Sequence, residues 1–298
     1  DRMFDERFTS EISRRGPTVR ETSNPILRNL PKQEGGYAQF GTGVAGATRM
    51  GYQADPYVSS PPQAGVSRPL TIDDVVTKTG MTLGVLSVVA VISYFLVGSN
   101  VALAMPFTLI GSLGGLALVL IASFGRKQDS PAIVLSYAAL EGLFLGAVSW
   151  LFGNVLVQGI SAGALITQAV LGTVGVFFGM LVVYKTGAIR VTPKFTRFMV
   201  AAMVGVLVLM LGSFVIGLFS SGPGPLRDGG PLAILFSLVV IGIAAFSFLL
   251  DFDSADQLIR AGAPEKAAWG VALGLTVTLV WLYLEILRLL SYFYSSDR

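Results

Sequence analysis

Beyond residue 70 the chain alternates between long apolar runs and short polar breaks. Apolar stretches of about 20 residues, the length a helix needs to cross a bilayer core, fall at about 80–98, 101–124, 131–153, 164–184, 198–219, 231–251 and 267–292. Thr71 is a favourable N-cap, and Asp73 and Asp74 sit in the first turn that follows, where the helix dipole favours negative charge. The sixth run continues through a more polar turn or two and breaks at Gly262-Ala263-Pro264. The pattern predicts an all-α integral membrane protein built as one seven-transmembrane-helix bundle. Residues 1–70 read differently, being rich in Gly, Pro, Ser and Gln with scattered charges, and are expected to form a disordered tail. Within that tail Ser23 to Pro31 and Gly35 to Phe40 carry apolar and aromatic anchors. They make it a candidate docking element for membrane-protein partners.

Composition sharpens this picture. The chain is 53% hydrophobic and 13% charged, against about a quarter charged in soluble domains, so the lipid bilayer is the expected surrounding. A net charge of +3, spread along the chain, gives no reason to expect nucleic acid. Cysteine and histidine are both absent, which removes disulfides, thiol chemistry, the commonest metal ligand and the usual neutral-pH switch. Any proton response must therefore come from carboxyl groups. Lysine and arginine near span ends are distributed ten against two. Arg68, Lys78, Arg126, Lys127, Lys185, Arg190, Lys194, Arg197, Arg260 and Lys266 share one side, and Arg227 and Arg298 hold the other. The richer side is expected to be cytoplasmic, with the N-terminus inside and the C-terminus outside.

Charges inside apolar spans are costly and mark ion or proton paths by default. Glu141 lies near mid-depth of the third span. Asp251 and Asp253 lie near the end of the sixth, two residues apart, so only one of them can face the bundle core. Glu285 lies in the seventh span, with Arg288 three residues on in a favourable pairing order. Glu141, Asp253 and Glu285 are the acids from which a proton-sharing pair is expected, Glu141 with Asp253 first. Two carboxyls held together in a low-dielectric core cannot both ionise cheaply. Their ionised form suits a hard cation with oxygen ligands, so calcium at Asp253 and Glu141 is the candidate metal. Arg126, at the end of the second span, is a candidate latch for these acids. Glycines at small-xxx-small spacing, Gly111 to Gly115, Gly142 with Gly146, and Gly172 to Gly179, are expected to let helices approach closely. No nucleotide loop, GxSxG or metal-ligand cluster is present in the sequence, and no enzyme is expected.

The Asp251-Phe252-Asp253 turn, the Gly262-Ala263-Pro264 break and the Leu282-Tyr283-Leu284-Glu285-Ile286-Leu287-Arg288-Leu289-Leu290 stretch resemble the Bax inhibitor-1 (transmembrane Bax inhibitor motif) family. The Ser23 to Pro31 motif and Ala139-Leu140-Glu141-Gly142-Leu143 are similar to its bacterial, actinobacterial-type branch. The resemblance implies six helices around a central, partly polar seventh, in a bacterial plasma membrane. It also implies a pH-sensitive calcium leak gated by two aspartates between the sixth and seventh helices, with no cofactor other than calcium as the transported ion. The first aspartate follows an aromatic residue in the family, which matches Asp253, with Asp251 as the fallback. The second position falls on Glu285 if Leu-Tyr-Leu-acid is aligned, or on Thr278 if the terminal stretch is aligned without a gap.

Overall fold

A computed structural model describes residues 68–157, 161–220 and 224–296. The tail motif at Ser23 to Phe40 and the terminal Arg298 lie outside the described residues. The described residues form seven long helices and no strand: α1 (Ile72–Ser99), α2 (Ala104–Phe124), α3 (Pro131–Leu151), α4 (Ala162–Thr186), α5 (Pro193–Ser220), α6 (Pro231–Arg260) and α7 (Ala267–Ser296). All seven are long and apolar enough to span a bilayer. A 3-10 turn at Val101–Leu103 leads into α2, and a π turn at Phe152–Leu156 extends α3.

Local chemistry sets the helix ends. Thr71 closes a capping box with Asp74, each side chain bonding the other's backbone N–H. The α6 terminus is a Schellman turn: Gly262, at φ +65°, donates to the Ile259 carbonyl and Ala263 donates to that of Leu258. The α2 terminus uses the same wrap, Lys127 N–H to the Ala122 carbonyl, but places Arg126 at φ +52° where glycine is favoured. A non-glycine residue there costs about 1–3 kcal/mol.

Burial ranks the helices. Some 56% of the apolar window of α7 and 50% of that of α3 is buried, against 11% for α4. The seventh helix is therefore central, as the family resemblance implies, and α3 is a second interior helix. Phe248 and Phe252 of α6 stack on each other, meet Phe177 of α4 edge-on and pack on Ala268, Val271 and Leu275 of α7. Leu145 of α3 and Leu165 and Ala169 of α4 pack on Val280, Tyr283 and Leu287 of α7. The outward faces of α1, α2 and α5 are rows of exposed Val, Leu, Ile and Phe, which is the surface expected against lipid.

The glycines divide into two sets. A Cβ on Gly111 would stand 2.6 Å from the Leu140 carbonyl oxygen, and one on Gly142 2.6 Å from that of Leu86. A Cβ on Gly146 would run into the Ala90 carbonyl oxygen. These glycines bring α1 and α2 onto α3, where Ser93 donates to the Leu143 carbonyl at 2.7 Å. Gly175 and Gly179, by contrast, have nothing within 4 Å of an added Cβ, so close approach at that part of α4 is not realised. Gly146→Ala is expected to lower the thermal unfolding midpoint in detergent. Gly205→Ala, at an unobstructed site, should leave it unchanged or raise it through the helix propensity of alanine, worth up to about 1 kcal/mol.

Candidate functional site

The ends of the bundle near Arg68 are tied by backbone and charge. Pro69 pairs with Pro264 in an isolated antiparallel bridge, with Leu70 N–H bonded to the Ala263 carbonyl and Glu265 N–H to that of Arg68. Glu265 takes Lys78 at 2.9 Å and Arg68 at 3.5 Å, and Arg68 also reaches Asp74 at 2.7 Å. Hydrogen bonding and charge from Asp74 hold the Arg68 guanidinium above its ordinary pKa. Next to this strap Lys266 bridges to Asp129 at 2.6 Å, joining the α2–α3 turn to the start of α7. That bond holds the Asp129 carboxyl below the usual range. Its contribution to stability is therefore present at neutral pH and is lost as pH falls through the depressed value.

Beneath that bridge lies a cavity of about 430 Å³ lined by Ser123, Arg126, Gln128, Asp129, Asp251, Ser254 and Gly274, among others. Asp251 is half-buried at its α6 wall and accepts a 2.7 Å hydrogen bond from the Thr278 hydroxyl of α7. Thr278 also bonds the Gly274 carbonyl at 3.2 Å, and the Asp251 carboxyl lies in ordinary contact, 3.7 Å, from where a Cβ on Gly274 would be. Thr278 lies eleven residues into α7, about 16 Å by helical rise and close to mid-depth of a core about 30 Å thick. One carboxylate, one hydroxyl and a polar vestibule can hold a partly hydrated cation or pass a proton. Arg126 lines the vestibule and makes no ion pair among the described residues.

The other predicted acids are dispersed. Asp253 accepts from Gln257 at 2.6 Å and, with Asp256, faces Tyr184 of α4. Glu141 is buried on α3 between Tyr137 and Gly115, where an added Cβ would stand 2.6 Å from its Oε1. Glu285 is 2% exposed and bonded to Arg288 at 2.5 Å. No hydrogen bond or ion pair joins Glu141, Asp253 and Glu285 to one another among the described residues, and each has its own neighbours. The rotation of α6 turns Asp251 inward and Asp253 toward α4, and Thr278 rather than Glu285 stands opposite the α6 carboxylate. Asp256 pairs with Arg260 at 2.8 Å.

Residues 20–295 match the family described as Bax inhibitor 1 like. The chain belongs to the Bax inhibitor-1-like family. A relative within reach of sequence comparison is an uncharacterized protein of Chlamydia muridarum (strain MoPn / Nigg), 27% identical over 186 residues, which are 58% of this chain and 69% of the relative. Against this Bax inhibitor-1-like background the α6–α7 pairing is Asp251 with Thr278, so one carboxyl stands where the resemblance implies two. The sequence offered Arg126 as a candidate latch; what it did not signal is the left-handed backbone that holds it at the cavity, or the Lys266–Asp129 bridge across two loops.

Proposed function

We propose that this protein is a proton-sensitive cation leak pathway, with calcium as the transported ion, and not an enzyme. The observation that carries the reading is the Asp251–Thr278 hydrogen bond at the α6 wall of a polar cavity reaching toward mid-bilayer. In this reading the ionised Asp251 carboxylate, the Thr278 hydroxyl and water give a hard cation its oxygen ligands. A proton on Asp251 removes the attraction, so flux falls as pH falls. Arg126 competes with the cation from the vestibule and is the closing latch. The cavity end of the bundle faces the cytoplasm, following the excess of Lys and Arg there.

Purified protein in liposomes loaded with a calcium indicator tests this directly. Calcium entry that rises between acidic and neutral pH supports the pathway. Silence at every pH, together with a partner that reproducibly co-purifies and is lost on deletion of residues 1–65, would replace it with a non-conducting interaction protein of the membrane.

A further inference from the structure

A second cavity, of about 500 Å³, opens on the lipid side of the bundle between α1 and α4. Its floor is the interior face of α7 at Leu279, Val280 and Tyr283, backed by Leu145 and Ser149 of α3. The size suits a small-molecule site. Its lining runs along α1 from Leu83 to Phe95, about 18 Å of helix axis. That is close to the thickness of one leaflet, half of a core about 30 Å deep. The lining is almost wholly apolar, and its rim residues Phe95 and Val170 are 69% and 45% exposed. In a bilayer this cleft meets hydrocarbon, not water.

Ser87 and Thr173 line the slot lower down, with Thr173 turned to the Ala169 carbonyl at 2.8 Å, and the remaining polar groups lie toward one end. The Ser149 and Tyr283 hydroxyls share one hydrogen bond at 2.7 Å. Tyr94, five residues before the end of α1 and so about 7.5 Å from it, accepts from Asn154 at 3.4 Å, which leaves its own proton to give. Thr167 of α4 lines the same cavity. Hydroxyl donors at interfacial depth above an apolar slot of leaflet length complement an ester carbonyl and the chain attached to it.

We propose that this cleft is a lipid site that holds one acyl chain of a phospholipid from the leaflet farther from Asp251, with its ester carbonyl at Tyr94 and Thr167. The chain lies against α7 on residues adjoining Thr278 and two positions from Glu285. The site is independent of whether the protein conducts.

The test uses the full chain in nanodiscs of phospholipid carrying a diazirine midway along one acyl chain, with adducts mapped by mass spectrometry after photolysis. Val280 and Tyr283 are 8% and 9% exposed, so lipid merely surrounding the protein does not reach them. Adducts at Val280 or Tyr283 are expected alongside those on outward residues such as Leu207. Adducts on outward residues alone overturn the proposal, as do adducts replaced by links between two copies of the chain. Gly163→Phe fills the mouth, and a Cβ there meets nothing within 4 Å. It should cut α7 labelling several-fold while labelling at Leu207 stays constant as the folding control. Unchanged α7 labelling in that variant also overturns the site.

Discussion

Asp251→Asn is expected to abolish the pH dependence of cation flux and to lower flux at neutral pH at least tenfold, while Asp253→Asn leaves both near the starting level. A unit charge about 4 Å from a carboxylate gains roughly 4 kcal/mol where the effective dielectric constant is about 20. Tenfold in occupancy needs only about 1.4 kcal/mol, so the effect should survive substantial hydration of the vestibule. Asparagine keeps the acceptor for Thr278 at 2.7 Å, so the fold is not at stake. Asp253 points to Gln257 and Tyr184, away from the cavity, and its loss touches neither ligand nor vestibule. Equal pH profiles for Asp251→Asn and the unaltered protein in liposomes would falsify the assignment. Arg126→Gly separates the latch from the fold: it removes the guanidinium while supplying the residue its left-handed turn favours. It should raise flux at neutral pH, where the ionised Asp251 carboxylate is the charge Arg126 competes for, without loss of thermal stability.

The contrast between these two aspartates shows how far the sequence could be read. Seven spans, the N-cap at Thr71 and the α6 break at Gly262 follow from hydropathy and turn chemistry, and all three are present. The Glu285–Arg288 pair follows from i,i+3 spacing, and the structure contains it. The choice between Asp251 and Asp253 depends on how α6 rotates about its own axis, which packing of Phe248 and Phe252 against Phe177 decides. Phe177 comes from α4, and no local pattern in α6 announces it. Thr278 and Glu285 are seven residues apart on one face of α7, so periodicity cannot separate them. Axial offset does, and it is set by the turn at 261–266 and its bridge to Pro69. Glycine spacing failed in part for the same reason: Gly175 and Gly179 have the small-residue pattern, but no neighbouring helix approaches them.

The largest loss of stability is expected from Arg288→Met. The Glu285 side chain is 2% exposed, and its Oε2 has no hydrogen-bond partner among the described residues. Arg288 supplies the only ion pair the described structure gives it, at 2.5 Å. Removing one partner of a buried pair leaves an uncompensated charge and typically costs about 3–5 kcal/mol. Glu285→Gln should cost less, because the Arg288 side chain is 17% exposed and its flexible stem can carry the guanidinium toward water. Replacing both residues should recover much of the loss, since an apolar pair of similar volume is often no worse than the buried ion pair. One neighbour opposes the single-variant effect. Arg227, in the turn between α5 and α6, has its pKa lowered by burial and then by the charge of Arg288, while Glu285 acts the other way. Its backbone is fixed by a 3.0 Å bond to the Gly224 carbonyl, but its side chain can swing toward Glu285 once Arg288 is gone. Arg227→Met should therefore be mild alone and severe in the Arg288→Met background. Thermal unfolding of the four proteins in one detergent measures this coupling as a double-mutant cycle. Additive losses would mean that Arg227 never compensates and that Glu285 depends on Arg288 alone.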